Sequence, residues 1–354
     1  MPKSATRVVK VGGVMVGGGR PVRVQSMTNT DTSRFLETFT QVEELIGAGC
    51  DIVRLGVSDL RSLESFLKIQ SKVDVPLVAD IHFDGKLALK CIERGCAGVR
   101  INPGNIGGKE LVEKIVLAAK KNGTAIRIGV NSGSLEKELL KKYKRPTPQA
   151  LAESALNWAQ FFEKLKFYNF KVSIKSSDIE DMVKANILFS KKSKAPLHIG
   201  LTEAGTLISG LIRSTLAVGE LLKKGIGNTI RISLSSNPVN EVAAGIELLK
   251  SLGLRKGLKV ISCPTCARTG IDVISMAEQV EREFSQVKTP LSVAVMGCVV
   301  NGPGEAKEAD IGVAGGKNSA VIFVNGEIVK KVSAAEAYNE LCFYIEKKLK
   351  GVRK

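Results

Sequence analysis

Three cysteines, Cys263, Cys266 and Cys298, are the residues of this chain best suited to chemistry by type and spacing. The first two lie in Ser262-Cys263-Pro264-Thr265-Cys266. The third opens the stretch Cys298-Val299-Val300-Asn301-Gly302-Pro303-Gly304-Glu305. A Cys-x-x-Cys pair followed by one more cysteine offers three thiolates to a soft metal centre, one short of a closed four-ligand structural site. Either a group of another kind completes the shell, or one metal position stays open for reaction. A structural zinc site on a nucleic-acid-binding protein is one alternative, but no second Cys-x-x-Cys and no nearby histidine closes it. The Cys-x-x-x-Cys-x-x-Cys spacing of radical enzymes is absent.

A second set of reactive residues lies in the first two thirds of the chain. Arg54, Arg100, Arg127, Lys175 and Arg231 each follow a β-branched residue within a short apolar run. Residues of a strand alternate in direction, so cations recurring near strand ends can converge on one opening. Like charges gathered there need an anion to offset their repulsion, and arginine forks match phosphate oxygens. The bland alternative is that each cation faces outward between helices. Asn102, Asn131, Thr202 and Ser233 fall at or just beyond the same run ends, where polar groups can reach phosphate oxygens. Glu203 follows Thr202; a carboxylate drawn toward that many cations and lying near a substrate can move protons. Asp80 and His82 follow another run. His198, one of two histidines, lies inside an apolar run, where it reads equally well as a hydrogen-bonded core residue.

The elements that must position these groups can be counted. Apolar runs at 22–27, 51–57, 76–81, 98–102, 125–130, 171–176, 196–203 and 229–234 alternate with segments of helical spacing. Eight such βα units point to α/β architecture with a (β/α)8 TIM barrel over residues 1–254. Stretches 8–16 and 20–24, around Gly17-Gly18-Gly19, predict a small hairpin closing its N-terminal end. A linker at 253–257 precedes a smaller α/β domain over 258–354, which carries both cysteine motifs. That domain is expected to have strands at 259–262, 292–296, 310–313 and 319–324, a turn at Asn325-Gly326, and helices at 273–284 and 334–348. Cys50 and Cys96 begin strands and read as small core residues.

Composition narrows the partners. Lysine and arginine total 52 against 35 aspartate and glutamate, a formal +17, which favours anionic partners. Aromatic residues are only 5%, too few for a base-stacking surface, so nucleic acid is not expected. No apolar run approaches the roughly 20 residues that span a bilayer, so no membrane is expected. Seven cysteines without a secretory signal point to a reducing, cytoplasmic setting.

Taken together, these motifs resemble the bacterial 4-hydroxy-3-methylbut-2-enyl diphosphate synthase family, which acts at the penultimate step of the methylerythritol phosphate route to isoprenoids. The resemblance runs from Val22-Arg23-Val24-Gln25-Ser26-Met27-Thr28-Asn29-Thr30 through both cysteine motifs, and the chain has the compact two-domain form. It implies a [4Fe–4S] cluster held by Cys263, Cys266 and Cys298 with Glu305 on the fourth iron, which makes the smaller α/β domain over 258–354 an iron–sulfur domain. It implies reductive ring opening and dehydroxylation of 2-C-methyl-D-erythritol 2,4-cyclodiphosphate, with Glu203 as the barrel-side acid/base. Reduced flavodoxin or ferredoxin is the implied electron donor, and a head-to-tail homodimer the implied assembly. A metal-free barrel enzyme acting on phosphate esters, such as a pterin-synthase-like transferase, is the remaining rival.

Overall fold

The computed structural model describes residues 6–298, 304, 307–316 and 318–352. The chain divides into two compact units, one ending at Arg255 and the other beginning at Lys256.

In the first unit eight parallel strands form one sheet: β3 (Arg23–Met27), β4 (Ile52–Gly56), β5 (Leu77–Asp80), β6 (Gly98–Ile101), β7 (Ala125–Asn131), β8 (Phe170–Lys175), β9 (His198–Ile199) and β10 (Thr229–Ile230). Their order is β8-β7-β6-β5-β4-β3-β10-β9, and a parallel bridge between Val172 and Leu197 brings the two ends together. This is the expected TIM barrel. Its last two strands, of two residues each, are shorter than their apolar runs, although the Arg231 N–H still donates to the Ile199 carbonyl and the Thr202 N–H to the Ser176 carbonyl.

Alternation explains the layers. Val53, Leu55, Val99, Ile126, Ile128, Val172, Ile174, Ile199 and Ile230 point outward and share one buried core with the surrounding helices. Local signals start those helices. Asp59 caps Leu60–Gln70 through a reciprocal bond with Ser62, and Pro148 opens Pro148–Lys164.

The hairpin is present, but its turn lies elsewhere than expected. β1 (Val8–Val11) pairs with β2 (Val14–Gly17), so the chain reverses at Gly12-Gly13 rather than at Gly17–Gly19. Gly12 has φ +53, and a Cβ there would meet the Pro76 side chain at 2.9 Å. Val9, Val11 and Val16 bury themselves against Ile52, Val78 and Ala125, which plugs the N-terminal end of the barrel.

The second unit is a five-stranded sheet in sequence order: β11 (Leu258–Ser262), β12 (Leu291–Met296), β13 (Ile311–Gly315), β14 (Ser319–Val324) and β15 (Glu327–Ser333). The first three strands are parallel and the last two antiparallel. Helix Val273–Glu283 connects β11 to β12, and Ala337–Val352 packs on β13 and β14. Asn325 (φ +50) and Gly326 (φ +83) make the predicted hairpin turn. The strand after it was not anticipated. Glu327–Ser333 is an almost wholly exposed edge strand, so it carries no alternation to read, and the closing helix begins later, at Ala337. Among the described residues no helix is long and apolar enough to cross a membrane.

Candidate functional site

The barrel interior is cationic where such barrels are usually filled by branched aliphatics. Residues alternating with the outward core positions point inward. They include Arg54 on β4, Arg100 on β6, Arg127 on β7, Lys171 and Lys175 on β8, and His198 on β9, all buried. Arg231, just past β10, is half-buried. The outward hypothesis for the cations is thereby excluded. Asn102, Asn131, Thr202 and Ser233 lie at or just beyond the C-terminal ends of β6, β7, β9 and β10.

Two buried carboxylates face them. Asp80, at the end of β5, meets Arg54 Nε at 3.3 Å, Arg100 at 3.2 Å and His82 at 3.7 Å. Glu241, from helix Pro238–Ser251, takes Arg231 in a two-pronged contact at 3.0 and 3.1 Å, the Ser26 hydroxyl at 2.8 Å and the Leu234 N–H at 3.0 Å. Burial alone would raise the Asp80 carboxyl, but Arg54, Arg100 and Arg127 outweigh it and hold that group below its usual range. Burial pushes Arg54 down to about 10, with Asp80 opposing. Burial, then neighbouring like charges, also lowers Arg127, Lys171, Lys175 and His198.

Two carboxylates do not satisfy this many donors. Among the described residues, the donors Arg100 Nε and Arg127 Nε and Nη1 are buried without a hydrogen-bond partner, and the ring nitrogen His198 Nε2 is likewise unpaired. Among the described residues Lys171 Nζ reaches only Gln25 Oε1, at 3.4 Å. Unpaired buried donors cost about 1–3 kcal/mol each, more when charged, and an anion with many acceptor oxygens is the class of ligand that would satisfy them. Glycine makes room for the donors: a Cβ on Gly129 would stand 2.9 Å from Arg100 Nε.

The structure therefore brings Arg54, Arg100, Arg127, Lys175 and Arg231 together, with Asn102, Asn131, Thr202 and Ser233 toward the barrel mouth. Asn102 Nδ2 donates to Ser134 Oγ at 2.6 Å, and its carbonyl accepts the Gly104 N–H at 3.2 Å. Glu203 is not drawn in among the cations. It is exposed, makes no ion pair among the described residues, and adopts φ +53, a left-handed conformation costing a non-glycine residue roughly 1–2 kcal/mol. Asp80 and Glu241 occupy the place expected for it. Lys171 was missed, although Lys171-Val172-Ser173-Ile174-Lys175 alternates plainly enough to assign it the same face as Lys175. His198 is a partly bonded interior residue, its Nδ1 2.8 Å from Thr229 Oγ1.

The cysteines gather at one end of the second unit's sheet. Cys263 follows β11 directly and Cys298 lies two residues beyond β12; these neighbouring strands run parallel, so their ends coincide. The Cys263 N–H donates to the Val295 carbonyl at 3.3 Å, and the Gly297 N–H donates to Cys263 Sγ at 3.1 Å. Cys266 is exposed in a turn closed by its N–H to Thr269 Oγ1 at 3.0 Å and by the Thr269 N–H to its carbonyl at 3.0 Å. Hydrogen bonding from the Arg268 backbone, then from its side chain, holds the Cys266 thiol below its usual range. Soft sulfur donors at one sheet end, one of them already accepting an N–H, fit the needs of an iron–sulfur cluster. Among the described residues no three His, Cys, Asp or Glu side chains stand as a ready-made ion site, and Glu305 lies outside them. The buried thiols do not compete: Cys50 donates to the Ile52 carbonyl at 3.1 Å, and burial pushes it up to about 12.

Comparison with known proteins agrees with this two-part arrangement. Residues 6–246 match the GcpE TIM-barrel domain, and residues 259–347 match the GcpE protein C-terminal domain. A Clostridium perfringens protein named 4-hydroxy-3-methylbut-2-en-1-yl diphosphate synthase (flavodoxin) is 53% identical, over 98% of this chain and 99% of its own length. The Aquifex aeolicus protein of the same name is 50% identical over 96% of this chain and 95% of its own. Burkholderia cenocepacia dihydropteroate synthase shares the barrel fold alone, with a TM-score of 0.51 and 13% identity over 70% of this chain and 96% of its own. With both domain models matched in order and about half its residues shared with full-length relatives, the chain belongs to the GcpE family of 4-hydroxy-3-methylbut-2-en-1-yl diphosphate synthases.

Proposed function

We propose that this oxidoreductase performs its family's reaction with the barrel chamber as the diphosphate cradle and the cysteine end of the second unit as the seat of a [4Fe–4S] cluster. The reaction is the reductive ring opening and dehydroxylation of 2-C-methyl-D-erythritol 2,4-cyclodiphosphate to 4-hydroxy-3-methylbut-2-enyl diphosphate. In neutral-acid terms, two electrons and two protons enter and one water leaves. The carrying observation is the surplus of buried donors around Arg127, which a diphosphate's oxygens would satisfy.

Arg54, Arg100, Arg127, Lys175 and Arg231 hold the phosphate oxygens, and Asn102, Asn131, Thr202 and Ser233 orient the sugar-derived carbons at the mouth. Breaking the ring's C–O bond leaves one more negative charge on the diphosphate. The fixed cations therefore bind the opened form more strongly than the cyclic one, the differential binding that lowers a barrier. Asp80 and Glu241 hold the guanidiniums in place, so little reorganisation accompanies that charge. Glu203 delivers a proton to the departing hydroxyl oxygen. Cys263, Cys266 and Cys298, with Glu305, hold the cluster, which when bound supplies the electrons. A carboxylate is a harder and more replaceable ligand toward iron than thiolate.

A reduced flavodoxin is the proposed donor, as the relatives' names specify for them, and the chain's +17 suits an acidic partner. A cytoplasmic homodimer, one subunit's cluster unit serving the other's barrel, completes the proposal. The test is anaerobic reconstitution with iron and sulfide. About four irons per chain and turnover of the cyclic diphosphate with reduced flavodoxin are expected. A protein that stays colourless and iron-free overturns the cluster assignment. Failure to bind the cyclic diphosphate in calorimetry on cluster-free protein overturns the barrel assignment.

A further inference from the structure

The turn that carries Glu203 is held by an arginine to which the reaction gives no part. In unbroken strand register residue 203 would point outward with Ile199 and Leu201, into the apolar layer between barrel and helices. The left-handed backbone at Glu203 (φ +53), followed by Gly205 (φ +114), takes the side chain out of that register and leaves it exposed at the mouth. Such a conformation in a non-glycine residue persists where its surroundings hold it.

Arg213, on helix Leu207–Lys223, does the holding. One terminal nitrogen donates to the Ser177 carbonyl at 2.7 Å; the other donates to the Ala204 carbonyl at 3.1 Å and the Glu203 carbonyl at 3.4 Å. Among the described residues Arg213 makes no ion pair, so its planar fork is devoted to three backbone oxygens. It ties the loop following Lys175 to the turn following Thr202. Two further bonds fasten the same turn: the Thr202 N–H to the Ser176 carbonyl at 3.2 Å and the Ser235 N–H to the Gly205 carbonyl at 2.9 Å. Three mouth loops, after β8, β9 and β10, are thus joined at Glu203.

We infer that Arg213 is a positioning residue for the reaction: by holding the Glu203 and Ala204 carbonyls it fixes the left-handed turn and so aims the Glu203 carboxylate. This rests on the proton-transfer role given to Glu203 above. A lysine replaces it only in part, because an ammonium has its three donors on one nitrogen and does not span the carbonyls as the fork does.

The experiment is a double-mutant cycle on the anaerobically loaded enzyme with Arg213→Met, Glu203→Gln and the pair. Arg213→Met is expected to lower kcat about tenfold to a hundredfold, the scale of a misplaced catalytic group, with KM changed less than about twofold. In the Glu203→Gln background the same change is expected to cost nothing further. Arg213→Lys is expected to recover only part of the rate. Should Arg213→Met not fold, Arg213→Gln, which keeps two N–H donors, runs the same cycle with a smaller expected loss. Unchanged kcat, or losses that multiply in the double variant, overturns the inference while leaving the role of Glu203 intact. A Glu203→Gln enzyme at full rate removes that role and the inference with it.

Discussion

Asp80 and Arg100 face each other across neighbouring strands inside the barrel, carboxylate to guanidinium at 3.2 Å, and they are paired in the β5–β6 register itself. Asp80 also takes Arg54. One carboxylate thus serves as counter-ion to two guanidiniums, with a third, Arg127, close enough to stabilise its charge. Counted over the whole chamber, two buried carboxylates, Asp80 and Glu241, face six cations, Arg54, Arg100, Arg127, Lys171, Lys175 and Arg231, among the described residues.

Replacing Asp80 with Asn should strand those cations. Removing one partner of a buried pair costs about 3–5 kcal/mol, so the melting temperature of the cluster-free protein should fall clearly at pH 7, and inorganic pyrophosphate should restore part of it. The sign with pH follows from a carboxyl held below its usual range. Its contribution is complete above the unfolded value of about 3.9 and is lost as pH falls from there through the folded value. The gap between wild type and Asp80→Asn should therefore narrow below about pH 4. No gap at pH 7 would contradict the counter-ion role.

Arg127→Met should trade function for stability. The guanidinium carries two buried donors without partners among the described residues, so an apolar side chain there should stabilise the unliganded protein by roughly 1–3 kcal/mol. The same change should weaken cyclic diphosphate binding by about 1.5–3 kcal/mol, tenfold or more in Kd. Thermal melting and calorimetry on the same sample read both effects. A variant that melts lower and binds normally would mean that Arg127 serves the fold.

Gly129→Ala probes the room left for Arg100. The added methyl would stand 2.9 Å from Nε and 3.1 Å from a terminal nitrogen, so the guanidinium must shift. Overpacking costs about 1–3 kcal/mol, and here it falls largely on the position of Arg100. Calorimetry should show weaker diphosphate binding than wild type with secondary structure unchanged; full affinity would show that Arg100 moves without consequence.

The cysteine motif and the barrel should separate experimentally. Cys266→Ser should reduce iron bound after reconstitution, whereas Glu305→Ala should keep the iron on three thiolates and lose turnover. Pyrophosphate affinity of the barrel should be unchanged in both. Full activity in Glu305→Ala would remove it from the ligand set.

The sequence by itself determined the eight βα units, because alternation of period two and helical spacing are local properties written along each run. It determined the cysteine motifs for the same reason, and it disclosed Arg54, Arg100, Arg127, Lys175 and Arg231 because each follows a β-branched residue in its apolar run. Only the tertiary structure decided which carboxylates meet those cations. Glu241 reaches Ser26 across 215 residues, and barrel closure, not local pattern, brings them together. The need for glycine at position 12 of the hairpin turn is likewise a tertiary matter, since a Cβ there would meet the Pro76 side chain at 2.9 Å. Glu203 shows the limit most clearly. Its residue type announced proton chemistry, but its direction depends on a left-handed turn clasped by Arg213, a contact between loops and a helix face that no periodicity records.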